Sequence, residues 1–295
     1  MTWRVIQVTK ESKLSLKNKQ LLFTPNTSIA DAISIPLEDI SVIVLDNKEI
    51  ILSNALIAEL AEYSIVLFTT DASHMPSGIF MPFQNHYKYA QGVYTQVEAS
   101  EPFKKRLWQQ VIQAKINNQA LVLKYNNNPA YSYLELLVKE VLSGDSKNTE
   151  AFAASFYWQN IFPNFKRHEH DMKNAALNYG YAIIRGTIAR NIVSTGLLPA
   201  FGIHHCNKLN AFNLVDDIME PFRPFIDNKI FSLNLENNLT TQNKQQLISV
   251  LTDNCLINNQ EFTILKAMEL TAQSLAKCFK EKNITHLQLP TFILT

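Results

Sequence analysis

Short alternating or β-branched runs fill the first hundred residues. Segments 5–8, 14–16, 20–23 and 40–45 are separated by Lys, Asn and Pro punctuation, the pattern of a compact β-rich module. One helix interrupts them: Ser53 suits the cap position before 54–63, where Leu56, Ile57, Leu60 and Ala61 form one apolar stripe, and 65–68 returns as a strand. Pro76, Gly78 and Pro82 mark 72–82 as a loop. From Pro102 the period becomes helical. Leu107, Val111, Ala114 and Lys115 recur at three- and four-residue intervals through 103–116, and segments 131–142, 150–158, 173–193 and 242–251 follow the same rule. The pattern predicts an α+β protein, with a β-rich N-terminal domain over 1–100 and an all-α C-terminal domain over 101–295.

Composition narrows the function classes. The chain has 295 residues, 46% hydrophobic and 18% charged, enough to bury one large core or two modest ones, so disorder and fibres are excluded. Its longest apolar runs, such as 42–45 and 65–68, fall far short of the ~18 residues a membrane span needs. The opening Trp3-Arg4 is unlike an export leader, so a cytoplasmic protein without a membrane partner is expected. Cys206, Cys255 and Cys278 are odd in number and lack C-x-x-C spacing, which argues against disulfides and a thiolate zinc site. Seven glycines form neither G-x-G-x-x-G nor G-x-x-x-x-G-K, so ATP and NAD are not expected cofactors. The net charge of +1 divides into −3 over 1–100 and +4 over 101–295. Basic residues concentrate at Lys104, Lys105, Arg106, Lys115 and Lys124, and again at Lys166, Arg167, Lys173, Arg185 and Arg190, which permits polyanion binding but equally describes solvated helix faces.

Three places hold ionisable groups where apolar or turn residues are expected. Glu150 follows the capping pair Asp145-Ser146, and its i+4 and i+7 neighbours are Ala154 and Tyr157; it is either a first-turn carboxylate facing water or a functional acid on an apolar face. His204 and His205 follow a turn enforced by Gly196, Pro199 and Gly202, which can aim an imidazole into a cleft or leave it on the surface. In 213–224, Leu214, Ile218 and Phe222 would bury one helix side and leave Asp216, Asp217 and Glu220 on the other, with Arg223 at i+3 and a kink at Pro221. A Glu, a loop His and a helical acid together make a mixed N/O donor set for Mg²⁺ or Mn²⁺, the imidazole favouring Mn²⁺. No H-E-x-x-H or G-x-S-x-G is present, so zinc proteolysis and serine hydrolysis lack their signatures.

The segments Glu150-Ala-Phe-Ala-Ala-Ser-Phe-Tyr-Trp158, Asn178-Tyr-Gly-Tyr181, Gly196-Leu-Leu-Pro199 leading to Gly202-x-x-His205, and Asn213-Leu-Val-Asp-Asp-Ile-Met-Glu-Pro-Phe-Arg-Pro224 resemble the CRISPR spacer-acquisition integrase, a metal-dependent endonuclease family. Trp3-Arg4-Val5-Ile6, Lys13-Leu-Ser-Leu16, Ile35-Pro-Leu-Glu-Asp-Ile-Ser41 and His74-Met-Pro-Ser-Gly78 are similar to its type II branch. The resemblance implies a catalytic metal triad of Glu150, His205 and Glu220 holding Mg²⁺ or Mn²⁺. His205 is preferred to His204 because the family histidine falls three residues after the glycine, with Asp216 or Asp217 assisting through water. Ala151 stands where glycine is frequent, and Glu220 where many relatives have Asp. The implied reaction joins 3′-hydroxyl ends of short double-stranded DNA fragments to CRISPR repeat DNA by transesterification. The implied assembly is a homodimer formed through the N-terminal domain and bridged by a small ferredoxin-like partner in a four-plus-two complex, with an RNA-guided interference nuclease assisting. Charge and proximity to the motifs add Lys104, Lys105, Arg106, Lys166, Arg167, Arg185, Arg190 and Arg223 as candidate phosphate contacts, Arg223 having an equal claim to pair with Glu220 or Asp216. The alternatives are a metal-dependent nuclease that resolves branched DNA in repair and a non-catalytic DNA-binding scaffold of the same fold.

Overall fold

The computed structural model describes residues 4–26, 32–82, 89–167, 169, 171–235 and 238–294. Its contacts divide the chain into two units, Met1–Asn85 and His86–Thr295. The dividing point lies before the 100/101 boundary expected from the sequence, because a helix over 89–97 belongs to the second unit.

In the first unit, β1 (Arg4–Val8), β5 (Ile40–Leu45) and β7 (Val66–Thr70) run parallel, with β8 (Pro76–Phe80) antiparallel at the edge. A second sheet orders β4 (Ile33–Pro36), β3 (Gln20–Pro25), β2 (Ser12–Lys17) and β6 (Ile50–Leu52). The β2–β3 hairpin closes through Asn18 and Lys19, both at positive φ, as a two-residue turn requires. The helix α1 (Asn54–Glu62) is capped by Ser53, whose side chain accepts from the Leu56 amide, and it buries Leu56 and Leu60. These join Leu14, Leu21, Leu37, Ile40, Ile43 and Ile65 in one core. The strand β8 replaces the loop expected over 72–82: as an edge strand it tolerates Pro76, which has no amide to donate.

Among the described residues the second unit is helical apart from one hairpin. Its helices are α2 (Tyr89–Val97), α3 (Glu101–Tyr125), α4 (Tyr131–Glu140), α5 (Thr149–Ile161), α6 (Met172–Ser194), α7 (Asn213–Met219), α8 (Arg223–Phe231), α9 (Thr241–Ser249) and α10 (Ile264–Glu281). The hairpin β9 (Asn254–Ile257) and β10 (Gln260–Thr263) corrects the all-α expectation; Asn258 and Asn259, both at positive φ, form its turn. Two helices organise the unit. The helix α3 packs against α4, α5, α7 and α8, while α6 packs against α7, α8, α9 and α10 and is buried on nearly every side. Gly180 permits the α6–α8 approach, since a Cβ there would lie 2.7 Å from Cγ2 of Ile226. No helix among the described residues is long and apolar enough to cross a membrane.

Candidate metal centre

The helix α3 forms the floor of the site. Trp108 and Lys115 are seven residues apart, two helical turns, so both project toward the same neighbours. Glu150 lies in the first turn of α5, where Asp145 accepts the Thr149 and Glu150 amides at 2.8 and 3.0 Å and fixes the helix start. Lys115 Nζ donates to Glu150 Oε1 at 2.5 Å. Glu220 comes from the opposite side, in a tight turn over 220–222 that joins α7 to α8 at Pro221. Its Oε2 lies 2.5 Å from Lys115 Nζ and its Oε1 3.0 Å from Arg223 Nε. These are charge contacts without hydrogen-bond alignment: Oε2 is buried with no hydrogen-bond partner. Burial alone would favour neutral Glu220, but Arg223 and Lys115 outweigh it and hold the carboxyl below its usual range. Burial likewise works against the charge on Lys115, and Glu220 and Glu150 overcome it, raising the ammonium pKa. The three acids opposite the apolar side of α7 are not a solvated face: Asp217 is wholly buried and Glu220 6% exposed, while Asp216 keeps partial exposure.

Asp217 builds the histidine loop. Its Oδ2 accepts the Ile203 and His204 amides at 2.7 and 3.0 Å, and its Oδ1 accepts the His205 amide at 3.2 Å and His205 Nδ1 at 2.5 Å. Gly202 is required at this wrap, because a Cβ there would lie 2.6 Å from Asp217 Oδ2. Upstream, buried Gln96 of α2 donates to the Leu198 and Phe201 carbonyls and accepts the Leu198 amide, holding the approach to the loop. The bond to Asp217 raises the His205 pKa and leaves Nε2 as the outward nitrogen. His204 instead stacks on Trp108 at 4.2 Å with rings parallel within 1°, while His205 meets the same indole edge-on.

The candidate phosphate contacts separate into two groups. Arg185 is clamped by Asp216 at 2.6 and 2.9 Å and by Asn210, Arg190 is buried against Asn191, and Arg223 pairs with Glu220. Lys105, Arg106 and Lys166 are exposed. Lys104 and Lys166 make loose i,i+3 pairs with Glu101 and Glu169, and Arg167 donates to Asn174 and Asn178.

A model of the family described as CRISPR associated protein Cas1 matches residues 6–265. The chain belongs to the Cas1 family. It is 38% identical over 299 residues to the CRISPR-associated endonuclease Cas1 of Neisseria meningitidis serogroup C (strain 8013), covering 99% of this chain and 97% of that protein. Among solved structures it resembles a casposase bound to an integration product, with a TM-score of 0.75 at 17% identity over 95% of this chain and 92% of the other. It also resembles a chain of a Cas6-RT-Cas1–Cas2 complex, with a TM-score of 0.71 at 17% identity, over 97% of this chain and 36% of that one. Membership makes the chain a CRISPR-associated endonuclease of spacer acquisition. Its β-rich first unit and mostly helical second unit are the Cas1 fold, seen also in a CAS1 protein from Thermotoga maritima, with a TM-score of 0.74 at 16% identity over 94% of this chain and 97% of that one.

Among the described residues no three His, Cys, Asp or Glu side chains converge closely enough to hold an ion. The donor chemistry nevertheless fits one. Two carboxylates share a single cation position, now taken by Lys115, and Glu220 Oε2 is a buried acceptor without a hydrogen bond. The outward nitrogen of His205 belongs to an imidazole that influences Glu220 electrostatically. Sequence reasoning named Asp217 as an acid assisting through water and Lys115 as one of a basic cluster, but gave neither its observed role, and it missed Trp108, which looks like an ordinary helical position.

Proposed function

We propose that this chain is a CRISPR adaptation integrase that uses Mg²⁺ or Mn²⁺ to join 3′-hydroxyl ends of short DNA fragments to repeat DNA. The observation that carries this reading is the convergence of Glu150 and Glu220, from separate helical elements, on one cation position beside a carboxylate-anchored imidazole. Glu150, Glu220 and His205 through Nε2 would hold the ion, which supplies charge stabilisation for a phosphodiester exchange. Asp217 keeps a proton on His205 Nδ1 and so presents the lone pair of Nε2. Arg223 neutralises the inner oxygen of Glu220 and fixes its direction. Exchange of one phosphodiester for another needs no nucleotide, so positioning and charge suffice.

Exposed Lys105, Arg106 and Lys166, with Lys104 and Arg167, are the phosphate contacts in this reading; Arg223 braces Glu220, Arg185 the 210–216 region, and Arg190 is buried against Asn191. Joining two fragment ends needs two centres at a fixed separation, which the homodimer formed through residues 1–100 and a small ferredoxin-like bridging partner would provide. An RNA-guided interference nuclease would help select fragments. The test is an integration assay with the protein, its bridging partner, a short duplex and a supercoiled repeat plasmid, with and without chelator. Joined strands that disappear in chelator and in Glu150→Ala, His205→Ala and Glu220→Ala support the reading. Shortened strands alone would mark a repair nuclease, and unaltered DNA a scaffold.

A further inference from the structure

We propose that Lys115 is the resident counter-cation of the metal centre, occupying the position between Glu150 and Glu220 until a divalent ion drives its ammonium out toward the solvent side of Glu150. The inference rests on the assignment of these two glutamates as ion ligands. One nitrogen lies 2.5 Å from an oxygen of each carboxylate, so an ion held by both acids would compete with it. Lysine suits such a role better than arginine: its charge is compact, it sits on a flexible four-carbon stem, and three donors rotate freely. Arg223, a planar fork held from the other side of Glu220, is not interchangeable with it.

Charge accounting gives the consequence. Lys115 and Arg223 offset the charges of the two glutamates, so an arriving divalent cation is attracted less while both stay. Of the two glutamates Arg223 contacts Glu220 alone, with its guanidinium over the Tyr181 ring at 4.9 Å, and it does not stand between the two carboxylates. The Lys115 side chain is 9% exposed and stands between both, with solvent reaching Glu150, whose side chain is 31% exposed. Lys115 is therefore the cation that moves. It keeps the two acids together, where the buried charge of Glu220 and the half-buried charge of Glu150 would otherwise repel, and it weakens ion binding by the cost of its own displacement.

The test uses the full chain without DNA. Mn²⁺ binding is titrated calorimetrically for the wild type, Lys115→Met and Glu220→Gln, and amine-selective acetylation of wild-type lysines is followed by peptide mass spectrometry with and without Mn²⁺. Lys115→Met should bind Mn²⁺ about tenfold tighter or more, within the usual range of coupling between two sites. Wild-type Lys115 should become several-fold more reactive when Mn²⁺ is added, with the exposed lysines as internal references. The labelling arm needs no variant and stands even if Lys115→Met folds poorly. Unimproved affinity in a folded Lys115→Met, or unchanged Lys115 labelling at saturating Mn²⁺, overturns the proposal while Glu220-dependent binding leaves the metal assignment standing. Equal Mn²⁺ binding by Glu220→Gln and the wild type removes both.

Discussion

Four donors converge on the two oxygens of Asp217, and three of them are consecutive backbone amides. This side chain therefore dictates the path of the histidine loop as well as the tautomer of His205. Replacing it by Asn keeps the shape but turns an amide NH₂ toward groups that also donate. Loss of such an outer partner typically costs 10–100-fold in metal affinity or activity. Asp217→Asn should therefore reduce strand joining by about that factor and also lower the melting temperature, because buried donors are left facing an NH₂ group. Gly202→Ala should fail similarly for a steric reason, since its Cβ has no room beside Asp217. A Gly202→Ala protein with wild-type joining would show that the loop can re-route. Acids and histidines stand out against apolar neighbours, but the choice of His205 over His204 and of Glu220 among three nearby acids rests on the family resemblance and not on local pattern. Asp217 could not be assigned its role, because its partners are amides, which every residue carries. Lys115 was legible as a lysine in an apolar stripe, but its two partners lie 35 and 105 positions away and no local pattern joins them.

At the scale of helices, buried polar side chains fasten the site to its surroundings. Asn118, three residues beyond Lys115, donates to the Pro221 and Pro290 carbonyls at 2.8 and 3.0 Å and accepts the Phe292 amide at 3.0 Å. It ties α3 to the turn carrying Glu220 and to the final segment. Asn118→Ala strands these backbone groups in the interior and should cost roughly 2–3 kcal/mol of stability, read by chemical denaturation. A second joint links α5, α6 and α8. Asp227 of α8 is buried, hydrogen-bonded by Tyr181 of α6, and burial pushes its carboxyl up to about 7. Tyr157 of α5 lies in the same enclosure, its hydroxyl without an aligned hydrogen bond. Because the unfolded carboxyl ionises near ~3.9, the folded chain retains a proton that the unfolded chain has lost between about pH 4 and 7. Stability from this group thus falls as pH rises through that window and stays low above it. Asp227→Asn cannot ionise, so its melting temperature should gain on wild type from pH 5 to 8; a constant difference would show that Asp227 does not titrate there. Elements with sustained period, α3, α5 and α6, were legible in the sequence. The edge strand β8 was hidden by its Pro and Gly, and the helix α2 by polar positions that act through Gln96.

Across the whole molecule the charge is almost balanced, +1 in 295 residues, so DNA affinity has to come from where cations stand and not from their sum. The sequence shows the basic clusters but not which members are already committed. Arg185 is bound along the edge of its guanidinium by Asp216 and Asn210 and lies over the face of Phe212 at 4.6 Å. Its loss should loosen the 210–216 region without removing a phosphate contact. Lys105 and Arg106 are exposed on the first turns of α3, near its positive end, where a polyanion gains both their charge and the helix dipole. Each phosphate neutralised adds close to one unit to the slope of log affinity against log salt. Lys105→Ala and Arg106→Ala should each flatten that slope by about one, with melting temperatures unchanged, when duplex binding is measured between 50 and 200 mM salt. Arg185→Ala should do the reverse, keeping the slope and lowering the melting temperature. Identical slopes for all three would place the DNA path elsewhere on the protein, whereas a flattened slope for Arg185→Ala would mean that its clamp opens to meet phosphate.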